Sequence, residues 1–170
     1  LFSDPINYLD VTHSNVLKDE KTRLLKKIIP ILNELSLTAK DSNIDLVIEP
    51  LNRYSTPYCC NYNDTQILLE NCPNLKLMLD TFHMNIEEDS FSDTILRANE
   101  SGRLAHMHFA DNNRKMPGQG HIDFDTIIDS LKKISYGGYI SFEPTIGDSS
   151  SSSLDYQADI KSGLDFIKNL

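Results

Sequence analysis

The chain has 170 residues, enough for one domain with a real hydrophobic core, and a formal net charge of −9. The acidic balance and the lack of a basic patch argue against a nucleic-acid partner, and no apolar run is long enough to span a bilayer. The three cysteines, Cys59, Cys60 and Cys72, match no zinc-binding spacing. We therefore expect reduced thiols, a cytoplasmic location and no membrane partner.

Helical and strand-like segments alternate along the sequence. A helix is predicted from about Asp19 to Ala39, with a kink or break at Pro30. Four apolar runs after it are typical of strands that are buried on both faces. These runs are Ile44–Pro50, Leu75–Thr81, Leu104–Asp111 and Tyr139–Pro144. Further helices are predicted around Ile67–Leu69, Phe91–Ala98, Ile127–Ile134 (after Asp125, as N-cap or first-turn acid) and Leu154–Lys168.

The spacing of the apolar runs indicates the fold class. They recur roughly every 30 residues, the length of one strand plus one crossover helix. This predicts an α/β fold with about four βα units. Because a closed (β/α)8 TIM barrel needs about 250 residues, we expect a single domain over 1–170 that is its C-terminal part and lacks the N-terminal strands. A half-barrel leaves two strand edges unpaired, so we expect the other half or another chain, as in a homo-oligomer, to cover them.

An acid or an imidazole lies at or near the end of each predicted strand. These residues are Glu49, Asp80, His108 and Glu143. The carboxyl ends of the strands meet at one face of a parallel barrel, so the four side chains are expected to converge. Three carboxylates and one imidazole suit one hard divalent ion, Mn²⁺ or Mg²⁺, with Co²⁺ as a further candidate. The alternative for Glu49 is a lone buried acid paired with Arg53.

Two of these acids also suggest proton-transfer chemistry. Glu49 and Glu143 each precede a proline and could act on opposite faces of a substrate, one removing a proton and the other returning it. A nearby metal would stabilise an enediolate. We interpret His83 as a substrate contact rather than a structural imidazole. Arg114 could bind hydroxyl or carboxylate oxygens or form a surface ion pair, and its residue type alone leaves both open.

Five motifs strengthen this interpretation. They are IEPLNRY at Ile48–Tyr54, MLDTFHMNIEE at Met78–Glu88, HMHFADNNR at His106–Arg114, PGQGHIDF at Pro117–Phe124 and FEP at Phe142–Pro144. In this order they resemble the xylose-isomerase-like TIM-barrel superfamily. The similarity is greatest to its D-tagatose/D-psicose 3-epimerase group, and it extends over nearly the whole chain.

The resemblance implies C3 epimerisation of a free ketose through a cis-enediolate, with the four strand-end residues as metal ligands. It implies that Glu49 and Glu143 form the acid/base pair and that His83 and Arg114 hold the hydroxyls of the sugar. The sequence departs from the group at Ser55, which stands where the 3-epimerases have a further sugar-binding glutamate. We expect Ser55 to contact the substrate without bringing a charge. The second departure is that the first four strands of the family are absent.

Several alternatives stay open beside this preferred function, an isomerase that acts on a small sugar with one divalent metal ion. Aldose–ketose or hydroxypyruvate isomerisation uses the same scaffold, and fold does not fix function. An endonuclease-IV-like phosphodiesterase is less favoured, since such sites use several metals and more histidines. A non-catalytic half-barrel fragment or assembly module, paired with four units of another chain, is the alternative from a different class.

Overall fold

The structure is a computed structural model and describes residues 14–145 and 156–170. Helices and strands alternate within these ranges. In chain order they are α1 Ser14–Asp41, β1 Leu46–Ile48, α2 Tyr62–Asn71, β2 Leu75–Asp80, α3 Thr81–Glu87, α4 Phe91–Glu100, β3 Leu104–Phe109, α5 Phe124–Lys133, β4 Tyr139–Phe142 and α6 Tyr156–Lys168. No helix in the described residues is long and apolar enough to cross a membrane.

The four strands form one sheet in the order β1-β2-β3-β4, and every neighbouring pair is parallel. Parallel neighbours require a crossover connection, and the helices between the strands supply it. The sheet confirms the predicted α/β fold with four successive βα units. The carboxyl ends of all four strands, which carry the candidate residues, therefore lie at the same end of the sheet.

The central strands carry the core. Leu75, Leu77 and Leu79 of β2 are fully buried, as are Met107 and Phe109 of β3. These side chains alternate along each strand and therefore line one face of the sheet, whereas the intervening Lys76 and Met78 are only partly buried. The prediction that both faces of the strands are buried was therefore wrong for the described residues. The predicted apolar faces of α4 and α5 pack against this core.

Polar side chains fix where these helices begin. The N-cap Ser90 accepts a hydrogen bond from the backbone of Asp93, and Asp123 accepts one from Thr126 at the start of α5. Caps of this kind satisfy backbone N–H groups that have no partner within the helix. Asp125 lies in the first turn of α5, as predicted, and two residues after the cap.

Two elements differ from the sequence prediction. Of the predicted kink or break at Pro30, the break was wrong, because the helix α1 runs continuously through this residue. The apolar residues Ile28, Ile29 and Leu32 beside it pack against the core, and this packing offsets the hydrogen bond that proline removes. The short helix α3 was not predicted, while α6 begins at Tyr156 and residue Leu154 lies outside the described residues.

Exposed apolar side chains concentrate in the first and last elements. Among the described residues, those outside the β1–α2 loop are Ile31, Leu35 and Leu37 of α1, Ile44 before β1, Tyr139 and Ile140 of β4, and Ile160 and Leu164 of α6. These elements flank the two open edges of the sheet. Exposed apolar residues beside an open sheet edge are typical of a face that another polypeptide segment covers.

Candidate metal centre

Four side chains converge at the carboxyl ends of the four strands. One potential ligand atom from each of Glu49, Asp80, His108 and Glu143 lies within 4.8 Å of the other three. Asp80 ends β2 and pairs with His108 across the sheet, while Glu49 and Glu143 directly follow β1 and β4. Parallel register thus gathers residues from positions 49 to 143 into one cluster, which we call the carboxylate–histidine cluster.

The imidazole lies among the three carboxylates. His108 Nδ1 is 3.0 Å from Glu143 Oε2, 3.5 Å from Glu49 Oε1 and 3.7 Å from Asp80 Oδ2. Glu49 Oε1 and Asp80 Oδ2 are buried and accept no hydrogen bond. Asp80 Oδ2 is 3.0 Å from Arg114 Nη1, but the guanidinium directs its hydrogen bond to Asp80 Oδ1.

Buried carboxylate oxygens without a donor are energetically costly unless they are protonated or meet a cation. Three carboxylates and one imidazole nitrogen form a donor set that a hard or borderline divalent cation accepts. The donor chemistry and the two buried acceptor oxygens fit a single divalent metal ion.

Burial and mutual repulsion perturb the acids. Burial, followed by the charges of Asp80 and Glu143, raises the pKa of Glu49 to about 7. Burial likewise raises the pKa of Asp80 to about 7, against the opposing effect of Arg114. For Glu143, burial acts to raise the pKa, but hydrogen bonding with Asp80 and the positive charge of Arg114 outweigh it, and the pKa is lowered. Like charges packed this closely favour protonation of some members until a cation replaces the protons.

These pKa shifts predict how the stability of the metal-free protein depends on pH. Glu49 has an ordinary pKa of 4.5 and a folded-state pKa of about 7, so between these values the folded state holds a proton that the unfolded state has lost. Glu49 therefore contributes about 3 kcal/mol to the unfolding free energy below pH 4.5, and this contribution is lost as the pH rises through about 7. Asp80 acts in the same direction. Buried His83, whose pKa is lowered to about 4, acts in the opposite direction.

Urea unfolding of the wild type and of Glu49→Gln at pH 5 and pH 8 isolates the Glu49 contribution from that of His83. We expect the wild type to lose more unfolding free energy than the variant between these pH values. Adding Mg²⁺ or Mn²⁺ at pH 8 should restore the loss in the wild type, since the cation replaces the protons. Equal pH dependence in the two proteins would contradict the raised pKa of Glu49.

Arg114 spans two of the acids. Its Nη1 donates to Asp80 Oδ1 at 3.0 Å and its Nη2 donates to Glu143 Oε2. The guanidinium carbon lies 4.7 Å from the centre of the Phe82 ring, which supports it from one side. Arg114 thus forms ion pairs, as one alternative supposed, but its side chain is only 18% exposed and both partners belong to the carboxylate–histidine cluster. Its contact with a substrate stays a prediction.

His83 lies beside the cluster but is held by another residue. It is 7 % exposed, and burial first, then the charge of Arg114, lowers the pKa of its imidazole to about 4. His83 Nδ1 lies 3.1 Å from the backbone nitrogen of Asn52 and 2.9 Å from its side-chain nitrogen. At neutral pH the imidazole of His83 is therefore uncharged, and its contact with a substrate stays a prediction.

Ser55 lies in the same loop as Asn52. Its side chain is exposed, and its hydroxyl donates to Asn52 Oδ1 at 3.3 Å rather than to a member of the cluster. Its contact with a substrate stays a prediction. The adjacent Arg53 pairs with Glu87, at 2.9 Å, and not with Glu49 as the alternative for that acid supposed.

Two buried polar residues near the site were missed in the sequence. Asn52 is 3 % exposed and Asp111 is fully buried. Asp111 accepts four backbone hydrogen bonds, from Asn112 and Ile122 at Oδ1 and from Gly118 and Gly120 at Oδ2. Both residues belong to motifs quoted above, and their polar character at the end of an apolar run was the available signal.

The chain is similar in sequence to proteins of one known family. A family profile described as "Xylose isomerase-like TIM barrel" matches residues 6–170. The D-psicose 3-epimerase of Enterocloster bolteae is 36% identical over 141 residues, covering 81% of this chain and 44% of that protein. The 3-dehydro-D-guloside 4-epimerase of Escherichia coli is 31% identical over 123 residues, covering 71% of this chain and 46% of that protein.

A solved structure agrees with these sequence matches. The D-psicose 3-epimerase with D-tagatose from Clostridium cellulolyticum H10 superposes with a TM-score of 0.76 at 29% identity, covering 85% of this chain and 55% of that chain. The present chain therefore spans about half the length of the relatives that it matches.

Proposed function

The chain belongs to the xylose isomerase-like TIM barrel family, and on that premise we propose that it is part of a divalent-metal-dependent ketose 3-epimerase. The carboxylate–histidine cluster carries this proposal, because two of its buried carboxylate oxygens accept no hydrogen bond. Several curated relatives are named as 3-epimerases of psicose or ribulose. A small ketose is the proposed substrate.

We assign the metal to Glu49, Asp80, His108 and Glu143, and Mn²⁺, Mg²⁺ or Co²⁺ suits this donor set. When bound, the ion would supply Lewis acidity to the oxygens next to the reacting carbon. Glu49 and Glu143 follow the first and last strands of the sheet, so they approach the cluster from opposite sides.

In the proposed reaction one glutamate removes the proton from C3 of the ketose. The electron pair of the C–H bond moves towards the C2 carbonyl and gives an enediolate, and the other glutamate returns a proton to C3 from the opposite face. The two glutamates exchange roles in the reverse direction. Arg114 and His83 would orient the hydroxyls, and Ser55 would add an uncharged contact.

We propose that residues 1–170 form one domain and that four further βα units complete the barrel. The exposed apolar side chains of α1, β4 and α6 support this, because those elements flank the open sheet edges. A homo-oligomer is also proposed. The three buried reduced cysteines favour a cytoplasmic location, and burial raises the pKa of the Cys59 thiol to about 12.

Proton NMR in D₂O tests the proposed activity. The metal-stripped protein, with any further βα units that its gene encodes, is incubated with D-fructose, D-psicose or D-tagatose and then receives Mg²⁺ or Mn²⁺, the latter removed before the spectrum. We expect metal-dependent deuterium incorporation at C3. Incorporation at C1 or C2 instead would identify an aldose–ketose isomerase. No incorporation from any ketose would contradict the proposed substrate class.

A further inference from the structure

Two donors from one residue converge on a single nitrogen of His83. The backbone N–H of Asn52 donates to His83 Nδ1 at 3.1 Å, and Asn52 Nδ2 lies 2.9 Å from the same atom. A backbone N–H can only donate, so Nδ1 presents its lone pair. A neutral imidazole whose Nδ1 accepts carries its proton on Nε2.

The orientation of the Asn52 amide is fixed independently. Its Oδ1 accepts from the backbone nitrogen of Tyr54 at 3.0 Å and from that of Ser55 at 3.2 Å, and it also accepts from the Ser55 hydroxyl. Rotating the amide by 180° would point its NH₂ group at these donors. The amide nitrogen, and not the oxygen, must therefore face His83.

Further contacts hold the Asn52 loop in register with α3. Arg53 makes a two-pronged ion pair with Glu87 at the end of α3, with both distances at 2.9 Å. At the other end of α3, Asp80 Oδ1 accepts from the backbone nitrogen of His83 at 3.4 Å. Asn52 lies in the β1–α2 loop and His83 in α3, and these contacts hold the two segments in a fixed relative position.

We propose that Asn52 is a positioning residue that fixes His83 in its Nε2–H tautomer. His83 then donates a hydrogen bond from Nε2 to a substrate oxygen and cannot accept a proton there as a general base. This inference rests on the proposed function, since it assigns the polarity of one sugar contact in that site. The Nε2–H of His83 would donate to a lone pair of a carbonyl or hydroxyl oxygen of the substrate.

Long-range ¹H–¹⁵N NMR of ring-labelled histidine tests the inference in the metal-free wild type, because the correlation pattern shows which ring nitrogen carries the proton. The His83 signal is assigned by its loss in His83→Asn. We expect the Nε2–H pattern in the wild type. In Asn52→Asp, Oδ1 can still accept from residues 54 and 55, but the group that faces His83 is now an acceptor. The backbone N–H of residue 52 still faces Nδ1 in this variant, so we expect the Nδ1–H pattern to appear for a measurable share of the protein beside the Nε2–H pattern.

Ser55→Ala is the matched control for the tautomer, since it removes one bond to Asn52 Oδ1 and no donor to Nδ1. It should keep the Nε2–H pattern. An Nδ1–H pattern in the wild type would overturn the inference, and this measurement holds even if Asn52→Asp fails to fold. A folded Asn52→Asp protein with an entirely unchanged Nε2–H pattern would overturn the role proposed for the Asn52 side chain, because the backbone N–H alone would then fix the tautomer.

The experiments test the tautomer assignment and the proposed activity separately. A wild type that shows the Nε2–H pattern, with a share of Nδ1–H in Asn52→Asp, but exchanges no proton on any ketose would contradict the proposed function and keep the tautomer assignment. In an active protein, Asn52→Asp should raise KM for the ketose about tenfold or more at equal metal occupancy, because a misplaced donor leaves a buried polar group unpaired.

Discussion

Glu49→Gln and Glu143→Gln are each expected to lower the epimerisation rate by about 10³- to 10⁴-fold. Glutamine keeps the shape of glutamate and one oxygen that can bind a cation, but it cannot take up a proton near neutral pH. Both residues belong to the carboxylate–histidine cluster, and they follow the first and the last strand of the sheet. Loss of either one should interrupt proton transfer at one face of the substrate.

The two variants should differ in the exchange that they retain. Each keeps one glutamate, so each should still exchange the C3 proton of one epimer with D₂O without converting it to the other epimer. The epimer that exchanges should be different for Glu49→Gln and Glu143→Gln. Following deuterium at C3 separately from each pure epimer measures this, and the same epimer exchanging in both variants would contradict the two-base mechanism.

Asp80→Asn separates proton transfer from metal binding. Asp80 belongs to the same cluster and carries no proton-transfer role, and Asn can still accept the backbone hydrogen bonds that start α3. We expect its activity to recover as Mn²⁺ or Mg²⁺ is raised to saturation. The two glutamine variants should stay inactive at full metal occupancy, which the bound metal content of each protein verifies. A glutamine variant within tenfold of wild type under that condition would exclude its residue from the acid/base pair.

The repeating features of the fold could be predicted from the sequence. A strand such as Leu75–Asp80 is apolar except for Lys76 and its final acid, and the regular interval between such runs predicts parallel neighbours. Because the strands are parallel, the residues that end them lie at the same end of the sheet. The approach of Glu49, Asp80, His108 and Glu143 required only this regularity, and no knowledge of individual contacts.

The missed features depend on contacts between distant residues. Asn52 and His83 are separated by 31 residues, and their hydrogen bond exists only because the β1–α2 loop folds onto α3. The helix α3 has seven residues, too few to show a repeated apolar face. The continuity of α1 at Pro30 similarly depends on packing against the core. None of these contacts leaves a periodic signal in the sequence.

The loop after β3 shows how a buried acid can place Arg114, the residue proposed to bind the substrate. Asp111 accepts hydrogen bonds from four backbone nitrogens between residues 112 and 122, and its own backbone oxygen accepts from the nitrogen of Arg114 at 2.8 Å. Arg114 has a φ of 57°, a left-handed conformation that an arginine adopts only where its surroundings impose it. The loop built on Asp111 therefore orients the guanidinium towards Asp80 and Glu143.

Asp111→Asn and Gly120→Ala are each expected to destabilise the fold by about 3 kcal/mol and to displace Arg114. Asparagine turns an NH₂ group towards the donors of Gly118 and Gly120, which leaves them buried without an acceptor. A Cβ on residue 120 would collide with the side-chain oxygens of Asp111 and Asn112. Urea unfolding measures the stability, and the KM of the ketose measures the position of Arg114.

Gly137→Ala is the matched control for the glycine substitution. A Cβ at that position meets no atom within 4 Å, and Gly137 has no left-handed φ. Its unfolding free energy should change by no more than about 1 kcal/mol. If Gly120→Ala were as mild as Gly137→Ala, the loop would adapt to the added methyl group, and Asp111 would not be what fixes its shape. A loss of stability in Gly120→Ala and Asp111→Asn with an unchanged KM would instead separate folding of the loop from placement of Arg114.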